Sequence, residues 1–267
     1  MTGDKHIFTW EDPFLLDNQL TEEERIVRDM ARRFGEERLM PLILEWNRNE
    51  EFDRDIMREF GELGFLGGVL DGYGCPGLGH VAYGLLCREL ERVDTAFRSA
   101  VGVQSGLAMG AIHSYGSEEQ KQKFLPKMAS GEHIGCFGLT EPDHGSDPSG
   151  MKSRARKDGN GYRLNGNKTW ITNAPIADIL VIWVKDEDEK FGGFILERSM
   201  EGLRTPKIQG KFGARASSTG QVVMENVFVP EKNRLVQVKG LGAALSCLGR
   251  ARFGISWGAM GAAEYCW

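Results

Sequence analysis

The chain has 267 residues, 41% of them hydrophobic and 27% charged, with a net charge of −5 at neutral pH, which leaves room for two compact units with cores of their own. The acidic balance speaks against a nucleic acid partner, whose phosphates require a basic face, and no apolar run reaches the length of a membrane span. Met1 to Glu11 has neither the basic start nor the apolar core of a signal peptide, so a cytoplasmic protein is expected, or a mitochondrial matrix protein if the chain is an already processed eukaryotic one. Five dispersed cysteines form no Cys-x-x-Cys pair, and the five histidines show no i, i+4 spacing; reduced thiols and no metal site are expected.

In chain order, Thr21-Glu22-Glu23-Glu24 spells a capping box, and Ile26, Met30 and Phe34 follow on one helical face. Pro41 disturbs or divides that helix. A second helix begins at Asp53 and carries Ile56, Met57, Phe60 and Leu63. After a glycine-rich loop from Gly64 to Gly79, a third runs from about Val81 to Val93, and further helical patterns occupy Thr95 to Tyr115 and Ser117 to Ala129. Arg98 stands among apolar and small residues; by spacing alone it is an i, i+4 partner for Asp94.

From Ile134 the pattern changes to short β-rich runs at 151–156, 162–164, 169–172, 179–184, 191–196, 221–224 and 227–229. Gly159-Asn160-Gly161, Asn165-Gly166 and Gly192-Gly193 punctuate them as turns. From Gly240 an Ala- and Gly-rich helical pattern resumes and is still running at Trp267. The predicted class is α+β: a helical bundle domain over residues 1–133, an antiparallel β-barrel or sandwich domain over 134–239, and over 240–267 the unfinished beginning of a second helical domain.

Two motifs tempt and fail. Gly72-Tyr73-Gly74-Cys75-Pro76-Gly77 matches the dinucleotide fingerprint, but a helix precedes it and Pro76 blocks a helical path through it, so a surface turn is expected. Gly254-Ile255-Ser256-Trp257-Gly258 matches a nucleophile elbow, yet no histidine follows His144 to complete a triad.

Two other stretches carry more. Phe137-Gly138-Leu139-Thr140-Glu141-Pro142-Asp143-His144-Gly145-Ser146-Asp147 can be neither helix nor regular strand, and its short polar side chains suit a polar ring or a phosphate. In Lys168-Thr169-Trp170-Ile171-Thr172-Asn173, strand alternation puts Trp170 and Thr172 on one face and Ile171 on the other. An indole and a hydroxyl side by side could hold a flat heteroaromatic. Alone, the hexapeptide reads more readily as a half-buried strand with a core Trp and a solvated Thr.

Together these stretches resemble the flavin-binding motifs of the acyl-CoA dehydrogenase family. Arg88 to Asp94, Phe97 to Ala100, Ile208 to Phe212 and Ala251 to Ile255 are similar to its glutaryl-CoA dehydrogenase branch. The resemblance implies FAD as cofactor, with main-chain contacts from Phe137, Gly138 and Leu139. It places Thr140 at the pyrimidine edge, Ser146 by cofactor and substrate, Trp170 packed on the ring beside Ile171, and Thr172 near N5. It implies an acyl-CoA tunnel along Leu245, Ser246, Cys247, Leu248, Gly249, Arg250, Ala251 and Arg252, where Gly249-Arg250 departs from the two Asn of the family pattern. Arg98 and Ser99 would receive the distal carboxylate of glutaryl-CoA.

The implied reaction is α-proton abstraction with β-hydride transfer, followed by decarboxylation to crotonyl-CoA, with an electron-transfer flavoprotein as acceptor and a homotetramer as the assembly. The family's catalytic Glu falls beyond Trp267, so no catalytic residue is assigned. The alternative reading is a non-catalytic fragment or paralogue that binds flavin and acyl-CoA.

Overall fold

A capping box opens the first long helix: Glu24 N–H donates to Thr21 Oγ1 at 3.3 Å, and Thr21 N–H to Glu24 Oε2 at 2.8 Å. In this computed structural model, which describes residues 8, 10 and 12–267, α1 (Glu22–Phe34) passes through a π-helical turn (Gly35–Leu39) into α2 (Met40–Asn49). Pro41 therefore divides nothing. It sits in the first turn after the π-helical segment, where the hydrogen-bond register is already shifted and a missing N–H costs least. Most of Met1 to Glu11 lies outside the described residues.

The helical half continues with α3 (Ile56–Glu62), α4 (His80–Val93), α5 (Thr95–Gly102), a π-helical turn (Val103–Met109), α6 (Gly110–Tyr115) and α7 (Glu118–Ala129). Helix α7 opens on a second capping box, between Ser117 and Gln120. Apolar residues at helical spacing meet in one core that includes Phe60, Phe65, Leu86, Leu90 and Phe97, all fully buried. Gly72, Gly74 and Gly77, with φ of 77°, 79° and 65°, shape the loop between α3 and α4; with a helix before it, the dinucleotide fingerprint is only a turn.

The strands are β1 (Gly135–Gly138), β2 (Arg154–Asp158), β3 (Gly161–Thr172), β4 (Ile179–Lys185), β5 (Phe191–Glu197), β6 (Leu203–Arg204) and β7 (Thr219–Pro230). They form one curled sheet in the order β1-β4-β2-β3-β7-β6, with β5 added to β4. Most pairings are antiparallel, but β1 lies parallel to β4, and β2 meets β4 in parallel at Arg154 and Lys185. Hairpin signals predict antiparallel neighbours; β1 enters directly from α7 and has no hairpin to set its direction.

Two predicted turns are interior to strands. Asn165-Gly166 lies within β3, where Gly166 has φ of 147° and a Cβ would stand 2.1 Å from Ser153 Oγ. Gly192-Gly193 lies within β5 because Leu235 and Trp183 press against Gly193. Gly159-Asn160 does turn a hairpin, with Asp158 opposite Gly161.

Strand β4 is buried on both faces. Ile179, Val181 and Trp183 pack into the core shared with the helices, while Leu180, Ile182 and Val184 fill the inside of the curled sheet. That double burial explains its unbroken apolar sequence. The last element, α8 (Gly242–Cys266), lies along α4 at contact distance. A Cβ on Gly261 would sit 1.9 Å from the Arg88 carbonyl oxygen, and one on Gly84 would sit 2.4 Å from the Trp257 ring. Ser256 donates its hydroxyl to the Arg252 carbonyl at 2.9 Å inside this helix, so the elbow-like motif has no elbow. All five cysteines are free, and no helix among the described residues is long and apolar enough to cross a membrane.

Candidate functional site

The end of β3 departs from the expected alternation. Lys168 pairs with Val222 and Ile171 with Gly220, so Thr169 and Trp170 together oppose the single residue Gln221: a β-bulge. Trp170 takes a left-handed backbone with φ of 59°, uncommon for a bulky residue, and its side chain is 61% exposed. The predicted split nonetheless holds beyond the bulge: Ile171, 4% exposed, packs into the core inside the curled sheet, while Trp170 faces solvent and Thr172 is half-buried. The bulge breaks the alternation between Lys168 and Trp170, and residues Trp170, Ile171 and Thr172 all border one cleft.

That cleft has a volume of about 330 Å³, at the small end of the ~300–1,000 Å³ usual for ligand sites. Phe137, Leu139 and Thr140 line it from the end of β1, and Ser146 and Pro148 from the turn beyond. Val103 and Leu107 reach it from the π-helical turn of the helical half, and Leu245, Leu248 and Arg252 roof it from α8. The hydroxyls of Thr140, Ser146 and Thr172 hydrogen-bond to none of the described residues. An exposed indole, three hydroxyls without protein partners and an apolar back wall suit a flat, polar-edged ring. Gly138 is the one predicted cofactor contact absent from the cleft lining; Ile182 and Lys168 crowd the place a Cβ would take there.

Behind the cleft, Lys168 is fully buried and its ammonium bonds to Glu141 Oε1 at 2.8 Å and to the Leu139 carbonyl at 3.1 Å. Glu141 also accepts from the Lys152 and Ser153 amides at 2.6 and 2.9 Å. Burial acts to raise the Glu141 carboxyl, but the Lys168 charge and the hydrogen bonds it accepts outweigh burial and hold it down to about 2. Because its folded value lies below the ordinary 4.5, Glu141 contributes stability that is complete above about pH 4.5 and is lost as pH falls toward about 2. Glu141→Gln is expected to be less stable at neutral pH and to show a flatter stability profile across that window, as measured by urea unfolding at a series of pH values. An unchanged slope would remove Glu141 from the acid response.

A second, smaller cavity of about 90 Å³ adjoins the first, and Val103 and Leu107 line both. Arg98, Ser99, Ala251 and Ile255 border it. Arg98 is not paired with Asp94, which instead caps α5 by accepting from the Ala96 amide at 2.8 Å. Its Nε and Nη2 donate to Glu91, which also accepts from the Thr95 hydroxyl; the Arg98 and Glu91 side chains are 12% and 9% exposed. The helix breaks at Asp94, whose φ is −168°, so counting by fours across it fails. The Nη1 of Arg98 makes no hydrogen bond to a described residue.

The continuous run predicted along α8 is divided by helical geometry. Leu245, Leu248 and Arg252 face the cleft and Ala251 the adjoining cavity. Cys247 points into the core, Ser246 bonds to the Tyr115 hydroxyl at 2.6 Å, and Gly249 borders neither cavity. Arg250 turns to the opposite side, donating to Ser114 Oγ at 2.9 Å. Near the end of α8, Glu264 is bound to Arg88 and Arg92 at 3.2 and 3.5 Å. Sequence reasoning missed Val103 and Leu107, because nothing local marks which side of a long helix a cleft will touch.

Comparison with known proteins shows the family. The family model "Acyl-CoA dehydrogenase, N-terminal domain" matches residues 21–132, and "Acyl-CoA dehydrogenase, middle domain" matches residues 136–227. A glutaryl-CoA dehydrogenase from Mycobacterium smegmatis, solved in complex with FADH2, superposes with a TM-score of 0.92 at 46% identity, covering 94% of this chain and 65% of that one. Mitochondrial isovaleryl-CoA dehydrogenase of Pongo abelii is 37% identical over 254 residues, covering 91% of this chain and 60% of the relative. A short-chain-specific acyl-CoA dehydrogenase of Clostridium acetobutylicum is 34% identical over 255 residues, covering 93% and 67%. The chain belongs to the acyl-CoA dehydrogenase family. It spans 60 to 67% of the length of these relatives.

Proposed function

We propose that this chain is the cofactor- and acyl-binding part of an FAD-dependent acyl-CoA dehydrogenase whose substrate is glutaryl-CoA. The observation that carries the reading is the junction of the two cavities: an indole and three free hydroxyls in one, an arginine with an uncommitted Nη1 in the next, and a shared wall at Val103 and Leu107. Trp170 would pack on the flavin ring, Thr140 and Thr172 would bond its edge, and Ser146 would sit where ring and thioester meet. When bound, the flavin supplies the two-electron acceptor for the hydride leaving the β-carbon. The apolar walls at Leu107, Leu245 and Leu248 exclude water from the α-carbon, which favours departure of its proton. Arg98 and Ser99 would take the far carboxylate, placing it for loss of CO2 and formation of crotonyl-CoA. An electron-transfer flavoprotein would be the onward acceptor and a homotetramer the assembly, with exposed Met260 and Tyr265 on α8 suited to contacts.

Among the described residues no carboxylate lines the cleft, which favours a second reading: a chain that binds flavin and thioester without turning over. Turnover with an artificial electron acceptor separates the two. The flavin reading is tested by titrating FAD into the protein and following quenching of flavin fluorescence and displacement of its visible bands. Trp170→Gly relieves a left-handed backbone worth about 1–2 kcal/mol and removes a ring contact worth about 0.5–1.5 kcal/mol beyond its buried area. The expected variant is at least as stable as the parent and binds FAD about tenfold more weakly. Unchanged affinity would sink the stacking role.

A further inference from the structure

The mechanism leaves one buried charged pair unused. Lys168 and Glu141 sit directly behind the wall that carries the ring-binding groups, in apolar surroundings supplied by Gly138, Met151 and Ile182. Such a pair is a poor way to stabilise a fold, since well-packed apolar residues of similar volume do as well or better. What apolar side chains could not do here is serve backbone groups. Strand β1 ends at Gly138, and the next two carbonyls belong to the turn: Leu139 O accepts from the Lys168 ammonium at 3.1 Å, and Thr140 O from the Thr169 amide at 2.9 Å. Consecutive residues of the turn are thus tied to consecutive residues of β3, immediately before the Trp170 bulge. Glu141 adds the third tie, to the amides of residues 152 and 153.

We propose that the Lys168–Glu141 pair is a positioning device for the cofactor: it pins the turn bearing Leu139 and Thr140 to the strand bearing Trp170 and Thr172, fixing the distance between stacking face and hydrogen-bonding edge before the ring arrives. The inference rests on the flavin reading above. Lys168 and Glu141 touch no ligand themselves; they act through Leu139, Thr140 and the bulge. Burial lowers the Lys168 ammonium, and the Glu141 charge only partly restores it, leaving it at about 8. The energetic cost of holding a charge there is consistent with a task other than packing.

The test is the double variant Lys168→Met/Glu141→Gln, which removes both charges, fills the space of the lysine stem and keeps an acceptor for the amides. Its unfolding midpoint is expected to stay near that of the parent. Its FAD dissociation constant is expected to rise at least tenfold, and its flavin bands at saturation to move toward those of free FAD. A folded double variant with parental affinity and parental bands would overturn the proposal and leave the flavin reading intact. Failure of the parent itself to bind FAD would overturn both. Should the double variant not fold, amide hydrogen exchange on the unaltered chain takes its place: residues 139–141 and 168–170 are expected to exchange as one unit and to be slowed together by FAD. Independent exchange of the two segments would overturn the proposal.

Discussion

Replacing Arg98 by Ala is expected to weaken binding of glutaryl-CoA to the FAD-loaded protein by about 10- to 150-fold, the equivalent of one charged hydrogen bond of about 1.5–3 kcal/mol. Pentanoyl-CoA, with the same number of acyl carbons and no distal carboxylate, should lose about twofold or less. Glu91 complicates the single variant, because it would remain at 9% exposure without its cation, a situation that costs about 3–5 kcal/mol of stability. The double variant Arg98→Gln/Glu91→Gln removes both charges and keeps hydrogen-bonding groups. Titration calorimetry with the two thioesters on both variants then separates recognition from folding. Equal losses on glutaryl-CoA and pentanoyl-CoA in the double variant would rule out the carboxylate role. Because Glu91 already answers most of the guanidinium charge, discrimination is expected to depend on the directed Nη1 donor more than on net field, and so to survive moderate salt.

Trp183→Ala should lower the unfolding free energy by about 3–5 kcal/mol, the usual result of emptying a large aromatic site in a packed core. Trp183 is fully buried in β4, its Nε1 has no hydrogen-bond partner, and its ring lies 5.7 Å from that of Phe137, which borders the cleft. Loss of the indole therefore removes the backing of a cleft wall as well as core volume, and FAD affinity should fall with stability. Trp183→Phe, which deletes the unpaired N–H and keeps a ring, should be much milder. Denaturant midpoints for the three proteins check the order; a loss under about 1 kcal/mol for Trp183→Ala would mean that the site collapses without consequence.

Much of the architecture was legible because it rests on local chemistry. The capping pairs Thr21/Glu24 and Ser117/Gln120 announce their helices by the same bonds the structure contains. Phase was harder to read. Asn165-Gly166 and Gly192-Gly193 have the composition of turns, yet both lie inside strands, where Ser153 crowds the Cβ position of Gly166 and Leu235 and Trp183 that of Gly193. Alternation puts Trp170 and Thr172 opposite Ile171, but the bulge that gives Trp170 its left-handed backbone has no signature in the hexapeptide. Lys168 was invisible for the same reason: with two irregularities in β3, no count of twos shows that it points inward. Arg98 was found as a residue and mispaired as a contact, because a helix end lies between it and Glu91. Along α8 eight consecutive residues were assigned to one tunnel, although a helix can turn only about half of such a run toward any one wall.

The close seating of α8 against α4 reaches beyond packing. The roof of the larger cavity and one wall of the smaller are faces of one rod, and the rod's height is fixed where Gly84 and Gly261 seat it against α4. A single methyl at either glycine would lift the whole rod, enlarging both chambers at once. The volume of both chambers is thus set by how closely two helices seat, and not by the lining residues alone.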